Sequence, residues 1–341
     1  MTKILVTGGT GYIGSHTVVE LQQSGYEVLI IDNLANSNIK ILDQITKITG
    51  KRPEFFQMDL CDREKVFDFF SKQNDIAGAI HFAAYKAVGE SSEFPLKYYK
   101  NNLFSLVNLL EAMDKAGCNN LVFSSSCTVY GQPDVLPVTE DAPVQKAESP
   151  YGNTKQISEE IIFDQSKTSD LKAISLRYFN PIGAHETALI GELPIGVPSN
   201  LVPFITQSAI GKRGKLKVWG NDYNTPDGTP IRDYIHVVDL AKAHLVALER
   251  MTNNKSEDQY EVFNLGTGKG NSVLDVILTF QKATEVNVDY EIAQRRPGDI
   301  VQVWADTRKA NEVLGWKTNL ELDVALKSAW EWEKNLAQGI L

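Results

Sequence analysis

The stretch Thr7-Gly8-Gly9-Thr10-Gly11-Tyr12-Ile13-Gly14-Ser15 constrains this 341-residue chain more than any other. It joins an apolar, strand-like run, Ile4-Leu5-Val6, to a helix-like run that begins near Tyr12 and stops by Gly25. Gly8 permits a tight turn off the strand, Gly11 admits backbone N–H groups close to a pyrophosphate, and Gly14 lets the helix sit close to the sheet. The helix N-terminus then faces the negative charge. Ordinary turns also gather glycines, so the spacing alone decides nothing. The strand before it, the helix after it and an acid shortly downstream decide for a dinucleotide.

That acid is Asp32, which closes a second apolar run. Its carboxylate is suited to accept from the adenosine 2′-OH and to repel a 2′-phosphate, which favours NAD over NADP. The competing reading is that Asp32 merely starts the Asp32-Asn33 turn. Asp59, after a third strand, is a second candidate for the adenine edge. Phe82-Ala83-Ala84 ends a fourth strand in small residues, which would let backbone approach the pyrophosphate or the nicotinamide ribose.

Up to about Phe179, short β-branched runs alternate with amphipathic segments, the pattern of an α/β doubly wound parallel sheet, a Rossmann domain. Strands are expected at 3–7, 27–32, 54–57, 79–82, 120–125 and 171–176, and helices at 12–24, 40–49, 63–72, 97–116 and 151–166. After Asn180 the rhythm breaks: Pro181, Gly183, Gly191, Pro194, Gly196, Pro198 and Pro203 mark a long irregular connection. The second half is expected to be a smaller mixed α/β substrate domain. Its helices are expected at 202–210, 239–251, 273–283 and 320–336, and its strands at 216–219, 260–265 and 289–292. The division therefore falls at 1–180 and 181–341, with a soft boundary that leaves 233–265 free to pack back on the first half.

Composition narrows the partners. With 43 acidic and 34 basic side chains and no basic stripe, a net charge of −9 disfavours nucleic acid and anionic membrane. An anionic ligand must be met locally, by a few arginines or by helix ends. Cys61, Cys118 and Cys127 are too few and too irregularly spaced for a disulfide framework or a zinc site. The five histidines lack metal-ligand spacing, so no metal is expected. The first strand leaves no room for a signal peptide, and no apolar run is long enough to span a bilayer. A cytoplasmic protein is expected.

Chemistry gathers at two further stretches. In Ser149-Pro150-Tyr151-Gly152-Asn153-Thr154-Lys155, Tyr151 and Lys155 stand four apart at a helix start and project from one face. An ammonium beside a phenol favours phenolate and lowers its pKa toward neutrality, and a cationic nicotinamide would lower it further. Tyr151 then serves as general base for an alcohol proton while hydride leaves for the cofactor. Ser124-Ser125-Ser126-Cys127-Thr128 lies at the C-terminal end of the fifth strand, where open α/β sheets collect ligands, and a hydroxyl there can bond the reacting oxygen. Each stretch alone is compatible with plain helix surface or capping. Serine, tyrosine and lysine in this order after a glycine fingerprint make the set specific.

On these residues the chain resembles the extended short-chain dehydrogenase/reductase family over essentially its whole length, and within it the UDP-glucose 4-epimerases. The glycine loop through His16, Asp32-Asn33-Leu34, Lys86-Ala87-Val88-Gly89-Glu90-Ser91 and Ser124-Ser125-Ser126 carry the likeness in the first part of the chain. Ser149-Pro150-Tyr151-Gly152, Arg177-Tyr178-Phe179-Asn180-Pro181 and Arg232-Asp233-Tyr234-Ile235-His236-Val237 complete it. The resemblance implies Ser126 and Tyr151 as the catalytic pair, Lys155 and Lys86 as cofactor ligands, and Asn101 and Phe179 near the nicotinamide. It extends the NAD set to Tyr12, Ile13, Asn33, Leu34, Asn36, Ser37 and Leu60. It also implies a homodimer, with helices 97–116 and 151–166 as plausible faces.

For a UDP-sugar, Arg232 and Arg296 suit the pyrophosphate because guanidinium forks match phosphate oxygens. Asn180 and Asn200 can bond phosphate or sugar, Lys217-Val218-Trp219 can present backbone to uracil, and Asp299 can hold the ribose. The resemblance gives these positions the same roles and adds Leu201, Lys86, Ser126 and Tyr151 to the substrate wall. Surface salt bridging is the plainer reading of the arginines. Val303 departs from the aromatic residue many family members carry beside the sugar, which leaves room for UDP-N-acetylgalactosamine as well as UDP-galactose. Gly266-Thr267-Gly268-Lys269-Gly270 lacks a P-loop ending and reads as a turn into a helix.

The reaction so implied is epimerisation at C4 through a 4-keto sugar with no net redox change, in galactose metabolism. Two rivals are a nucleotide-sugar dehydratase and a catalytically silent NAD sensor. Cys127-Thr128 stand where dehydratases carry acids, which disfavours elimination, and intact Ser126, Tyr151 and Lys155 disfavour the sensor.

Overall fold

Runs such as KILVT and EVLIID have almost no polar side chain between their ends, and such runs bury on both faces of a parallel sheet. The computed structural model describes residues 1–73, 75–296 and 299–341. Its first half runs β1 (Lys3–Thr7), α1 (Tyr12–Gln23), β2 (Glu27–Asp32), α2 (Ile41–Thr49), β3 (Glu54–Gln57), α3 (Arg63–Lys72), β4 (Ile76–His81), α4 (Val88–Glu93), α5 (Pro95–Ala116), β5 (Asn120–Ser126), α6 (Pro150–Thr168) and β6 (Lys172–Tyr178). The second half runs β7 (Asn180–Ile182), α7 (Leu201–Ala209), β8 (Leu216–Trp219), β9 (Ile231–Arg232), β10 (Tyr234–His236), α8 (Val237–Thr252), β11 (Tyr260–Leu265), β12 (Asn271–Ser272), α9 (Val273–Thr284), β13 (Tyr290–Ala293), β14 (Gln302–Val303) and α10 (Leu322–Ala337).

Seven strands form the main sheet in the order β11-β6-β5-β4-β1-β2-β3, all parallel. Alternate side chains feed two cores. Ile4, Val6, Ile30, Ile80 and Val122 pack under one helical layer, and Leu5, Leu29, Ile31, Ala79 and Leu121 under the other. Strand order reverses between β1 and β4, which opens a crevice at their C-terminal ends. The glycine loop and Phe82-Ala83-Ala84 both lie there.

The α/β doubly wound class agrees with the alternation in the sequence. Expectation and structure differ in detail. β4 begins at Ile76 rather than at 79, and α5 begins two residues before 97 because Pro95 occupies its first turn. α4 and the short strands β7, β9, β10, β12 and β14 carry too few residues to show a period. β11 extends the main sheet by pairing with β6, and Leu240, Ala243 and Leu248 of α8 join the core beside α1. A separate core, with Ile205, Val218, Ile277, Phe280 and Leu326, unites α7, β8, α9 and α10.

Candidate active site

The crevice begins with the glycine loop. Gly8 adopts φ +72°, and a Cβ there would lie 2.9 Å from Ala83 N. A Cβ on Gly14 would lie 2.3 Å from the Gly8 carbonyl oxygen, so the first turn of α1 rests on the loop itself. Gly11 caps α1 without a side-chain hydrogen bond, and the first helical turn has no acid. Its unpaired N–H groups and the helix dipole are therefore available to an external anion.

Asp32 is buried at the end of β2 and makes the turn that the competing reading gave it. Its Oδ1 accepts from Leu34 N at 2.9 Å and from Ser37 Oγ at 3.1 Å, which makes the turn, while Oδ2 accepts from Thr10 N at 3.2 Å, which ties it to the glycine loop. Leu34 has φ 60° in that turn, and Asn36 is exposed beyond it. Asn33 Nδ2 donates to Asp59 Oδ2 at 3.3 Å, which ties the turn after β2 to the loop after β3, and Leu60 is buried. Phe82 N bonds the Thr7 carbonyl at 3.0 Å, which fixes the floor between β1 and β4. Asn101 on α5 donates to Asn102, which in turn holds both the N–H and carbonyl of Tyr85 and the hydroxyl of Thr154. Ile13 lies in the first turn of α1 and packs on the core.

Ser126, Tyr151 and Lys155 meet at the end of β5. Ser149 caps α6 by accepting from Gly152 N at 3.1 Å, and Pro150 fills the first turn, so the helix starts where it can present Tyr151 and, one turn later, Lys155. Lys155 is buried, donates to the Ser124 carbonyl, and lies 4.7 Å from the Phe123 ring centroid and 5.9 Å from that of Tyr151. Burial pulls its ammonium down to about 8, against the pull of Glu159.

The phenol departs from the sequence expectation. Burial pushes Tyr151 up to about 12, with the Ser126 hydroxyl drawing it back. The Lys155 ammonium donates to the Ser124 carbonyl and lies 5.9 Å from the Tyr151 ring centroid, and desolvation is the largest influence on the phenol.

A buried network beneath this trio went unpredicted. Ser125 Oγ donates to Glu159, which takes a bidentate pair from Arg177 at 2.6–3.2 Å. Arg177 Nη1 reaches Tyr130 OH at 2.9 Å, and Tyr130 donates to Asn264 at 2.7 Å. The three serines of β5 thus divide their work: a carbonyl for Lys155, a hydroxyl for Glu159, and a hydroxyl beside Tyr151.

The remaining candidates lie on the later elements. Phe179 is buried, and Asn180 N donates to the Asp233 carbonyl at 2.9 Å. Asn200 caps α7 and Leu201 starts it. In β8, Val218 is buried while Lys217 is exposed and Trp219 half-buried, with the Arg296 guanidinium 4.7 Å from the Trp219 ring centroid. Arg232 Nη2 meets Asp299 at 3.4 Å. Val303 is 4% exposed, pairs with Arg232 in β14–β9 register, and packs in a cluster with Phe179.

The Gly266–Gly270 loop encloses an anion of its own. The buried Asp233 carboxylate accepts from Thr267 N, Thr267 Oγ1, Gly268 N and Ala305 N at 2.7–3.2 Å, and a Cβ on Gly266 would strike it. The nest is filled by the chain's own carboxylate, and the loop turns into β12 and α9.

Across the cleft, Lys86 Nζ meets Glu192 at 3.3 Å, and the same carboxylate oxygen takes Asn200 Nδ2 at 2.7 Å. Tyr12 OH donates to the Gly183 carbonyl at 2.6 Å. Nothing in the sequence marked Glu192, which sits in an irregular connection without periodicity.

A family model described as GDP-mannose 4,6 dehydratase matches residues 5–329. The UDP-glucose 4-epimerase of Bacillus subtilis is 50% identical, with 98% of each chain covered. A UDP-glucose 4-epimerase from Stenotrophomonas maltophila, crystallised with NAD and formylated UDP-arabinopyranose, is 45% identical at a TM-score of 0.95, with 99% of each chain covered. The enzyme of Bifidobacterium longum, in complex with NAD+ and UDP, is 44% identical at a TM-score of 0.94, covering 99% of this chain and 100% of the other. With this sheet order, glycine loop and serine–tyrosine–lysine group, the chain belongs to the UDP-glucose 4-epimerase family.

Proposed function

We propose that this chain interconverts UDP-galactose and UDP-glucose with a retained NAD, as a cytoplasmic homodimer serving galactose metabolism. The observation that carries the reading is the convergence of Ser126, Tyr151 and Lys155 at the C-terminal end of the same parallel sheet whose β1 leads into the uncapped N-terminus of α1. The cradle fits a dinucleotide: methyl groups at Gly8 or Gly14 would strike backbone, and no side chain of the first turn competes for its N–H groups.

Gly8, Gly11 and Gly14 with Tyr12 and Ile13 would hold the pyrophosphate. Asp32, Asn33, Leu34, Asn36, Ser37, Asp59 and Leu60 would hold the adenosine, and Phe82, Ala83, Ala84, Lys86, Asn101, Lys155 and Phe179 the nicotinamide half. Bound there, NAD supplies a reversible two-electron acceptor for C4 of the sugar.

The chain's own residues do the rest. Tyr151 takes the proton from O4 and later returns it, while Ser126 bonds the same oxygen. A phenol held near 12 is a poor base at neutral pH, and Tyr151 would gain phenolate character from positive charge beside it, that of Lys155 and of a bound cationic nicotinamide. Arg232, Arg296, Asn180, Asn200, Leu201, Asp299 and the Lys217-Val218-Trp219 strand anchor UDP. The sugar is then free to turn and present its other face. Residues 1–180 serve NAD and residues 181–341 the UDP-sugar, with α8 and β11 lent back to the first part. Exposed Phe104 and Val107 on α5 and Phe163 on α6 supply an apolar face for a second copy. Val303, smaller than an aromatic, leaves space for the acetamido group of UDP-N-acetylgalactosamine.

Purified protein given UDP-galactose without added NAD, followed by NMR, should form UDP-glucose. A deoxy-keto sugar product would favour the dehydratase, and no product despite bound NAD would favour the sensor; either refutes the reading. Tyr151→Phe should lower kcat by about 10²–10⁴-fold while NAD still co-purifies.

A further inference from the structure

One carboxylate stands between two groups assigned to ligands, Lys86 on the cofactor and substrate wall and Asn200 on the phosphate or sugar. Glu192 Oε1 accepts from Asn200 Nδ2 at 2.7 Å and from Lys86 Nζ at 3.3 Å. Lys86 belongs to the β4–α4 loop and Asn200 caps α7, so a single oxygen ties the two walls of the cleft. The Glu192 side chain is 12% exposed and that of Lys86 is 50% exposed, so solvent reaches the pair from the lysine side. Glu192 also lies near Tyr12, whose phenol it raises further after burial has done so.

The backbone below is pinned. Trp332 Nε1 donates to the Glu192 carbonyl at 2.8 Å, Gly191 pairs with Ala184, and a Cβ on Gly191 would lie 2.5 Å from the Trp332 ring. Only the side-chain torsions of Glu192 are free to move its carboxylate.

Resting on the UDP-sugar reading above, we propose that Glu192 is an internal competitor for the diphosphate: it occupies Lys86 and Asn200 in the absence of nucleotide sugar and swings away when UDP arrives. Asn200 is assigned to the phosphate or sugar and Lys86 to the substrate wall, so the nucleotide sugar and Glu192 compete for these donors, and a carboxylate left within a few ångströms of a diphosphate is repelled by it. The competition sets a ceiling on UDP affinity and speeds release of the finished product. It also keeps the two walls aligned while the cleft waits for substrate.

The sign of the effect separates this role from a structural one. NAD-loaded Glu192→Gln, titrated with UDP by calorimetry, should bind about three- to tenfold more tightly than the unaltered protein. The KM for UDP-galactose should fall by a similar factor with no rise in kcat. A purely structural tie predicts the reverse, because loosening Lys86 and Asn200 weakens UDP, so unchanged or weaker binding overturns the proposal. A crystal structure of the unaltered protein with NAD and UDP tests it without any substitution. Glu192 should be out of hydrogen-bonding range of both donors, and a carboxylate still bonded to both overturns it. If the unaltered NAD-loaded protein binds no UDP, the UDP-sugar reading fails first and the competitor role falls with it.

Discussion

Gly14 is held by a contact that no side-chain repacking can relieve. A methyl there would sit 2.3 Å from the Gly8 carbonyl oxygen, a backbone atom of the loop that turns off β1. Gly14→Ala should therefore open the cradle, cost about 1–3 kcal/mol of stability and abolish co-purification of NAD. The ratio of absorbance at 260 and 280 nm together with a thermal melt checks it, and a variant that keeps NAD at full occupancy would refute the assignment. Such glycines are legible in sequence because their clash is local. The pKa of Tyr151 was not legible: a four-residue spacing to Lys155 is visible along the chain, but desolvation is set by everything packed around the ring. Glu192 was equally invisible, since its partners lie 106 and 8 residues away in separate segments.

Elements were legible where a period had room to declare itself. The 22 residues of α5 repeat their apolar positions for six turns, whereas β9 and β12 have two residues each and pair only because the second half folds around them. Periodicity could not say which apolar side chains of α5 face inward. The structure separates Leu106, Leu109 and Met113, all buried, from Phe104 and Val107, which are 55% and 37% exposed. Phe163, on neighbouring α6, is 45% exposed. On the proposed homodimer these exposed side chains are the contact between copies, because exposed apolar surface of this kind on a helix pair is costly in water. Phe104→Asp should yield a folded monomer by sedimentation velocity where the unaltered chain sediments as a dimer. A dimer that survives the substitution, or an unaltered chain that is monomeric at micromolar concentration, would overturn that face.

Across the whole molecule, all five histidines are buried, at 0–7% exposure, although they are spread from residue 16 to residue 244. Burial is the first cause of depression for each. His16 and His81 fall to about 3, His236 and His244 to about 4, and His185 moves the same way. An unfolded chain takes up these protons near pH 6.5, and the folded chain refuses them until far lower pH. The unfolded state therefore binds more protons in that interval, and stability falls as the pH drops below about 6.5. Each histidine contributes up to about 1.4 kcal/mol per pH unit in the interval. Glu20, Glu140 and Asp233, whose carboxyls burial raises, act in the opposite sense, but from their ordinary carboxylate range upward. Unfolding at pH 5.5 should consequently take up about four protons per chain, measured by calorimetry in buffers of different ionisation enthalpy, and Tm should fall steadily from pH 7.5 to 5.5. His244 offers a single-site control, because its Nδ1 donates to the Leu240 carbonyl at 2.8 Å while its buried Nε2 has no partner. His244→Asn keeps a donor for that carbonyl and should take up about one proton fewer on unfolding at pH 5.5. A flat Tm across the range, or unfolding without proton uptake, would mean that these rings are already charged in the folded protein.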